Sequence, residues 1–169
     1  MISVQNVEFR RRQTKTRFPF NYGIASMTEV PHLFVILTLE IDGKTVTGIS
    51  SEGLPPKWFT KDPETTFEQD LPEMLGAIRN AFEIAQSLPA AETVFDFWWN
   101  LYQSQDGWAT AHNVPPLLAH LGTSLVERAV IDGFCRAKGE SFAKLLHDNG
   151  LGVQLAKVHP ELENSAPAD

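Results

Sequence analysis

Hydrophobic and polar residues alternate along His32–Ile41, with Leu33, Val35, Leu37, Leu39 and Ile41 on one side of the chain. A period of two marks a strand with one buried face. Phe34 and Ile36 occupy the other side, which predicts cover on both faces for the first half of this strand. Asp42-Gly43 then supplies the positive φ angles of a tight primed turn, and Lys44–Ser50 returns as a partner strand. Upstream, Val4, Val7 and Phe9 alternate weakly within residues 2–17, before Arg10, Arg11, Arg12 and Lys15. The three runs predict a three-stranded antiparallel meander. Residues 18–31 carry Phe18, Phe20, Tyr22 and Met27 among Pro19, Gly23 and Pro31, lack a period, and predict a long aromatic loop. Glu52–Phe59 predicts a second loop, stiffened by Pro55-Pro56 and tipped by Trp58 and Phe59.

Beyond this loop the period changes from 2 to 3.6. Asp62-Pro63 predicts a helix opening, and Pro72 divides the helical stretch into a first turn over 63–70 and a longer helix over 71–87. Leu71, Met74, Leu75, Ile78, Phe82 and Ala85 form the buried stripe of that helix. Thr93 and Asp96 form a variant capping box before a short aromatic helix containing Phe95, Trp98, Trp99 and Tyr102. Residues 103–113 read as a polar loop. Pro115-Pro116 opens a long helix through Lys138 that Gly139 stops, and Ser141 caps one more short helix. Residues 157–169 look frayed and acidic. The fold class is therefore α+β, a meander followed by a helical bundle.

Composition narrows the function. A net charge of −7 argues against nucleic acid, whose phosphates favour basic surfaces. Cys135 is the only cysteine, so no internal disulfide forms. No apolar stretch is long enough for a membrane span and the N-terminus has no signal-peptide core, which together predict a cytoplasmic protein. His32, His112, His120, His147 and His159 make no metal-ligand pair at helical spacing. The Arg10–Arg17 cluster reads as solvent-facing charge that discourages edge pairing. Lys57 reads as a solvated lysine rather than a carboxylate clamp. Trp98, Trp99 and Trp108 read as one apolar cluster, by default in the core, with a subunit or domain interface as the other account.

Three stretches, taken in order, resemble the N-terminal capping domain of the enolase superfamily, in its mandelate racemase and muconate lactonizing enzyme branch. Phe18-Pro19-Phe20-Asn21-Tyr22-Gly23, followed by Thr28-Glu29-Val30, is similar to the family's first mobile loop. Gly48-Ile49-Ser50-Ser51-Glu52-Gly53-Leu54-Pro55 resembles the segment that opens its second mobile loop, with Ser50-Ser51 in place of a single glycine. Glu127-Arg128-Ala129-Val130-Ile131-Asp132 followed by Arg136-Ala137-Lys138-Gly139 is similar to the family's ExAlwD helix and the GKxxG that comes after it.

The resemblance implies a capping domain over 1–122, helices over 123–150 leading into a missing (β/α) barrel, and a frayed tail over 151–169. Complete members abstract a proton next to a carboxylate and stabilise the enolate with Mg²⁺. Their metal ligands and bases lie on barrel strands. No catalytic residue and no metal ligand is therefore carried onto this chain, and Mg²⁺ belongs to the complete parent enzyme, a racemase, epimerase, cycloisomerase or dehydratase. The lid residues do fall on this chain: Phe20, Tyr22, Ile24 and Met27 from the first loop, and Lys57, Trp58 and Phe59 from the second. Glu127 and Asp132, on different sides of their helix, read as structural contacts. The implied partners are a small carboxylate substrate, the barrel and a homo-oligomer. The rival expectation is a stand-alone, non-enzymatic binding or interaction module.

Overall fold

The structure is a computed structural model that describes residues 1–23 and 25–168. The meander is present: β1 (Ile2–Tyr22), β2 (Ala25–Ile41) and β3 (Lys44–Gly53) form one antiparallel sheet in the order β1-β2-β3. Val35 lies between Phe9 and Ser50, and Leu39 between Val4 and Val46. The alternating row Leu33, Val35, Leu37, Leu39 and Ile41 is buried, as its period requires. Asp42 (φ 50°) and Gly43 (φ 76°) make the turn. The Met1 ammonium (2.7 Å) and Lys138 (2.8 Å) both clasp the Asp42 carboxylate. Their hydrogen bonds, that of Lys138 first, hold its pKa down to about 2.

Two sheet expectations need correction. Residues 18–31 are not a loop. After an irregularity between Lys15 and Phe20, pairing resumes at Phe20↔Met27, Asn21↔Ser26 and Tyr22↔Ala25. Thr14 and Thr16 hydroxyls also donate to the carbonyls of Val30 and Met27. This end of the hairpin is mostly exposed, so nothing selects an alternating pattern there and the strand left no period in the sequence. Nor is the outer face of β2 covered. Phe34 and Ile49 are among the exposed large apolar side chains, because the helices that bury β2 all pack on its other face.

The helices are α1 (Pro56–Phe59), α2 (Phe67–Ser87), α3 (Val94–His112), α4 (Pro116–Lys138), α5 (Phe142–His147) and α6 (Leu155–Val158). The capping box that starts α2 is Thr66 with Gln69, not Asp62-Pro63. The Asp62 carboxylate instead accepts from the Glu64 N–H in a turn. Pro72 sits inside α2 without dividing it. It lies near the N-terminal end, where the missing N–H deprives only the Glu68 carbonyl.

Residues 103–113 are also not a loop, since α3 runs through them to Asn113 in the left-handed region. Gln105 explains the polar sequence. Fully buried, it accepts from Asn80 (2.7 Å) and donates to the carbonyls of Ala77 and Ala119 (both 3.0 Å), tying α3 to α2 and α4. Trp98 and Trp99 pack with Phe95 and Tyr102, whereas Trp108 stacks on His112, so the three tryptophans are not one cluster.

One long helix closes the molecule against the sheet. A Cβ on Gly48 would lie 2.0 Å from the Ala129 carbonyl oxygen, which shows how near α4 comes to β3. At that crossing the Asp132 carboxylate accepts the Ile49 N–H (2.9 Å) and Arg128 donates to the Ser51 carbonyl (3.1 Å). These side chains occupy edge positions that another strand would otherwise fill. Gly139 (φ 67°) and Ser141 end α4 and begin α5 as expected. Residues 151–159 are not a frayed tail. Leu151 is buried and its carbonyl accepts the Phe95 N–H (3.1 Å), while Gln154 and Lys157 reach Asp96 at the start of α3. The expected boundary at 122 falls inside α4, whose buried residues on both sides of it join the same core.

Candidate functional site

Two segments far apart in sequence meet at one end of the molecule. The tip of the β1–β2 hairpin brings Phe20 and Tyr22, and the β3–α1 connection brings Lys57, Trp58 and Phe59. Phe20 stacks on Tyr22 at 5.7 Å, and Tyr22 meets Trp58 at 5.6 Å with the rings tilted by 45°. Phe20 (52%) and Trp58 (51%) are half-exposed, so the cluster presents an apolar surface rather than a closed core. Burial against it pushes the Tyr22 phenol up, keeping it a neutral hydrogen-bonding group.

Of the other expected lid residues, Met27 lines a depression of about 360 Å³ with Tyr22, Lys57, Glu29 and Pro55. Phe59 turns inward and packs on the core, so it is not a tip residue. Ile24 lies outside the described residues. Phe18 stays apart from the cluster, with the Arg17 guanidinium over its ring.

Lys57 is not the solvated lysine expected. Its ammonium lies 2.7 Å from Asp70 Oδ2, with side chains only 13% and 5% exposed, and it donates to the Asp62 carbonyl and the Thr65 hydroxyl. The contact with Asp70 is an ion pair rather than an aligned hydrogen bond. Burial works against the Asp70 charge, but Lys57 and Thr65 outweigh it and hold the carboxyl below its ordinary value. The ammonium is thus neutralised within the chain and anchors α1 to α2. Sequence reasoning missed this because Asp70 reads as one more acid of a helix's first turn.

A second depression, of about 430 Å³, lies beside Tyr22 and Trp58 and is also lined by Lys61 and Leu117. Lys61 makes no ion pair among the described residues, and Leu117 is 60% exposed at the start of α4. The available signal for Leu117 was an apolar residue in the first turn after Pro115-Pro116, off the helix's buried stripe. Among the described residues, no three His, Cys, Asp or Glu side chains converge as a metal site would require. Burial pushes the Cys135 thiol up, which opposes a nucleophilic role.

No family model and no curated protein matches the chain. Solved structures do. A mandelate racemase/muconate lactonizing enzyme-like protein from Rubrobacter xylanophilus matches with a TM-score of 0.55 and 14% identity, over 85% of this chain and 33% of that one. An enolase from alpha pretobacterium bal199 with bound Mg matches with a TM-score of 0.52 and 15% identity, over 82% and 32%. The L-Ala-D/L-Glu epimerase from Bacillus subtilis matches with a TM-score of 0.51 and 16% identity, over 80% and 32%.

This is the enolase N-terminal domain fold. The chain spans about a third of the length of those structures. Identities this low establish architecture and leave chemistry to the residues themselves. Among the described residues, no helix is long and apolar enough to cross a membrane.

Proposed function

We propose that this chain is the substrate-capping part of a Mg²⁺-dependent enolase-superfamily enzyme that abstracts a proton next to a carboxylate, and that it is not catalytic by itself. The observation that carries the reading is the meeting of Tyr22 and Trp58, which makes one apolar cover from the tip of the β1–β2 hairpin and the segment after β3. A cover of this kind excludes water from an enolate-forming step and contacts the distal part of a substrate. Phe20, Tyr22, Met27 and Trp58 suit an apolar distal group. Lys57, neutralised by Asp70, sets the position of Trp58 rather than meeting the substrate's charge. No cluster of His, Cys, Asp and Glu among the described residues fits a Mg²⁺ site, so in this reading the metal, its carboxylates and the proton-abstracting base belong to a barrel in the parent enzyme, at a cytoplasmic location.

The test is the genomic reading frame beyond codon 169, and then kinetics of the complete protein. The expected outcome is a barrel with acidic residues at strand ends, and a Trp58→Ala variant that loses on the order of tenfold or more in kcat/KM while binding metal normally. A complete protein whose turnover ignores both Tyr22→Ala and Trp58→Ala overturns the lid assignment. One observation favours a second reading, a stand-alone binding module. The core runs through sheet and helices without a break, and side chains of α4 cap the β3 edge, so the chain has the makings of an independent folding unit. A stop codon after Asp169 with a monodisperse, cooperatively melting protein selects that reading.

A further inference from the structure

A groove unrelated to the lid lies between the start of α3, the middle of α4 and the C-terminal segment. Phe95, Trp98, Ile131, Leu155 and Val158 wall about 270 Å³ of it. One acid, Glu127, and one histidine, His159, also line it. The Glu127 carboxylate makes no hydrogen bond or ion pair among the described residues. Its neighbour Arg128 faces the other way, donating to the Ser51 carbonyl and to Glu52. Burial pushes the Glu127 carboxyl up, only partly offset by the Arg128 charge. Lys157 lies at this end of the molecule too, but its ammonium is held by Asp96 at 3.0 Å.

A carboxylate half-buried among aromatic and aliphatic walls is partly desolvated, and a donor that reaches it lowers that cost. The chemistry that relieves the cost without rehydrating the groove is a cation on an apolar stem. The lysine and arginine side chains are built this way. An aromatic wall adds cation–π attraction. Trp99 and Tyr102, both half-buried, continue the aromatic row from Trp98. A face of that extent, aromatic around one acid, has the make-up of a protein interface centre rather than of an enclosed small-molecule cavity.

We propose that this groove is a docking slot for a polypeptide segment that presents a lysine or arginine among apolar side chains, with Glu127 as the counter-ion of that cation. None of the lid residues takes part, so the assignment stands or falls separately from the capping role.

The test is an NMR titration of the full ¹³C,¹⁵N-labelled chain with three probes. They are the peptide acetyl-Leu-Val-Lys-Val-Leu-amide, the same peptide with norleucine for lysine, and n-butylammonium. The lysine peptide is expected to shift the Phe95, Ile131 and Trp98 indole signals and to bind about tenfold more tightly than the norleucine peptide. That preference disappears in Glu127→Gln. In the unmodified chain, the ¹³C-detected Glu127 carboxyl titration moves to lower pH when the lysine peptide is bound, a readout that does not depend on the variant folding. Equal binding of the two peptides, an unchanged preference in Glu127→Gln, or shifts elsewhere on the surface overturn the proposal. So does n-butylammonium binding as tightly as the peptide, which marks a small-amine site instead.

Discussion

The Tyr22 ring lies 5.6 Å from the Trp58 ring, joining the tip of the β1–β2 hairpin to the connection after β3. The two are coupled, so their substitutions do not add. A double-mutant cycle of Tyr22→Ala and Trp58→Ala, read by urea unfolding, is expected to give an interaction of about 0.5–1.5 kcal/mol. A coupling of zero means that the two connections close independently.

Gly48 and Gly133 set the distance between β3 and α4. A Cβ on Gly133 would meet Leu39 Cδ1 at 2.4 Å and the Gly48 Cα at 3.3 Å, and one on Gly48 would meet backbone at 2.0 Å. Backbone cannot yield as a side-chain end can. Gly48→Ala is therefore expected to destabilise by at least about 3 kcal/mol, at the upper end for overpacking, and Gly133→Ala by less because Leu39 can repack. Thermal melts of the two variants rank them.

The β2 row from Leu33 to Ile41 was legible in the sequence because one face meets a core and a period of two records it. The strand pairing of Phe20 with Met27 was not, because that stretch is largely exposed and backbone hydrogen bonds leave no side-chain pattern. Phe34 and Ile36 misled in the opposite sense, being apolar without a covering layer in this chain. The aromatics of the site were legible as unusual residues beside turn formers. The Lys57–Asp70 pair was not, because a buried ion pair looks like two surface charges until the chain folds.

Gln105 is the plainest case of a polar residue mistaken for a loop signal. Gln105→Leu keeps the volume but removes the amide that reaches Ala77 and Ala119 and strands the Asn80 donor. The expected cost is about 1–3 kcal/mol in chemical denaturation. Gln105→Glu is expected to be worse, since it buries a charge and loses both donated hydrogen bonds.

Lys57 and Asp70 predict a dependence on acid. The Asp70 carboxyl is held below its unfolded value, so its contribution is full above the unfolded pKa of about 4 and is lost as pH falls through the folded value. Lys57→Met leaves the Asp70 charge buried without its partner and is expected to cost about 3 kcal/mol near neutral pH. Adding Asp70→Leu to that variant should restore most of the loss. A double variant as unstable as the single one shows that Lys57 contributes through packing of its stem.

Glu127 predicts the reverse sign. Its folded pKa is raised, so the neutral acid favours the folded chain below the unfolded value of about 4.3, and that advantage is lost as pH rises through the folded value. His159 also lines the groove and Arg128 is next along the same helix, and both remain in Glu127→Gln. The comparison therefore isolates the carboxylate. Glu127→Gln is expected to match the unmodified chain at pH 4 and to exceed it at pH 8 by about 1 kcal/mol, roughly 2–4 °C in Tm. If the unmodified chain is instead the more stable of the two at pH 8, then Glu127 already has a partner within the chain, and the groove has no need of a cation from outside.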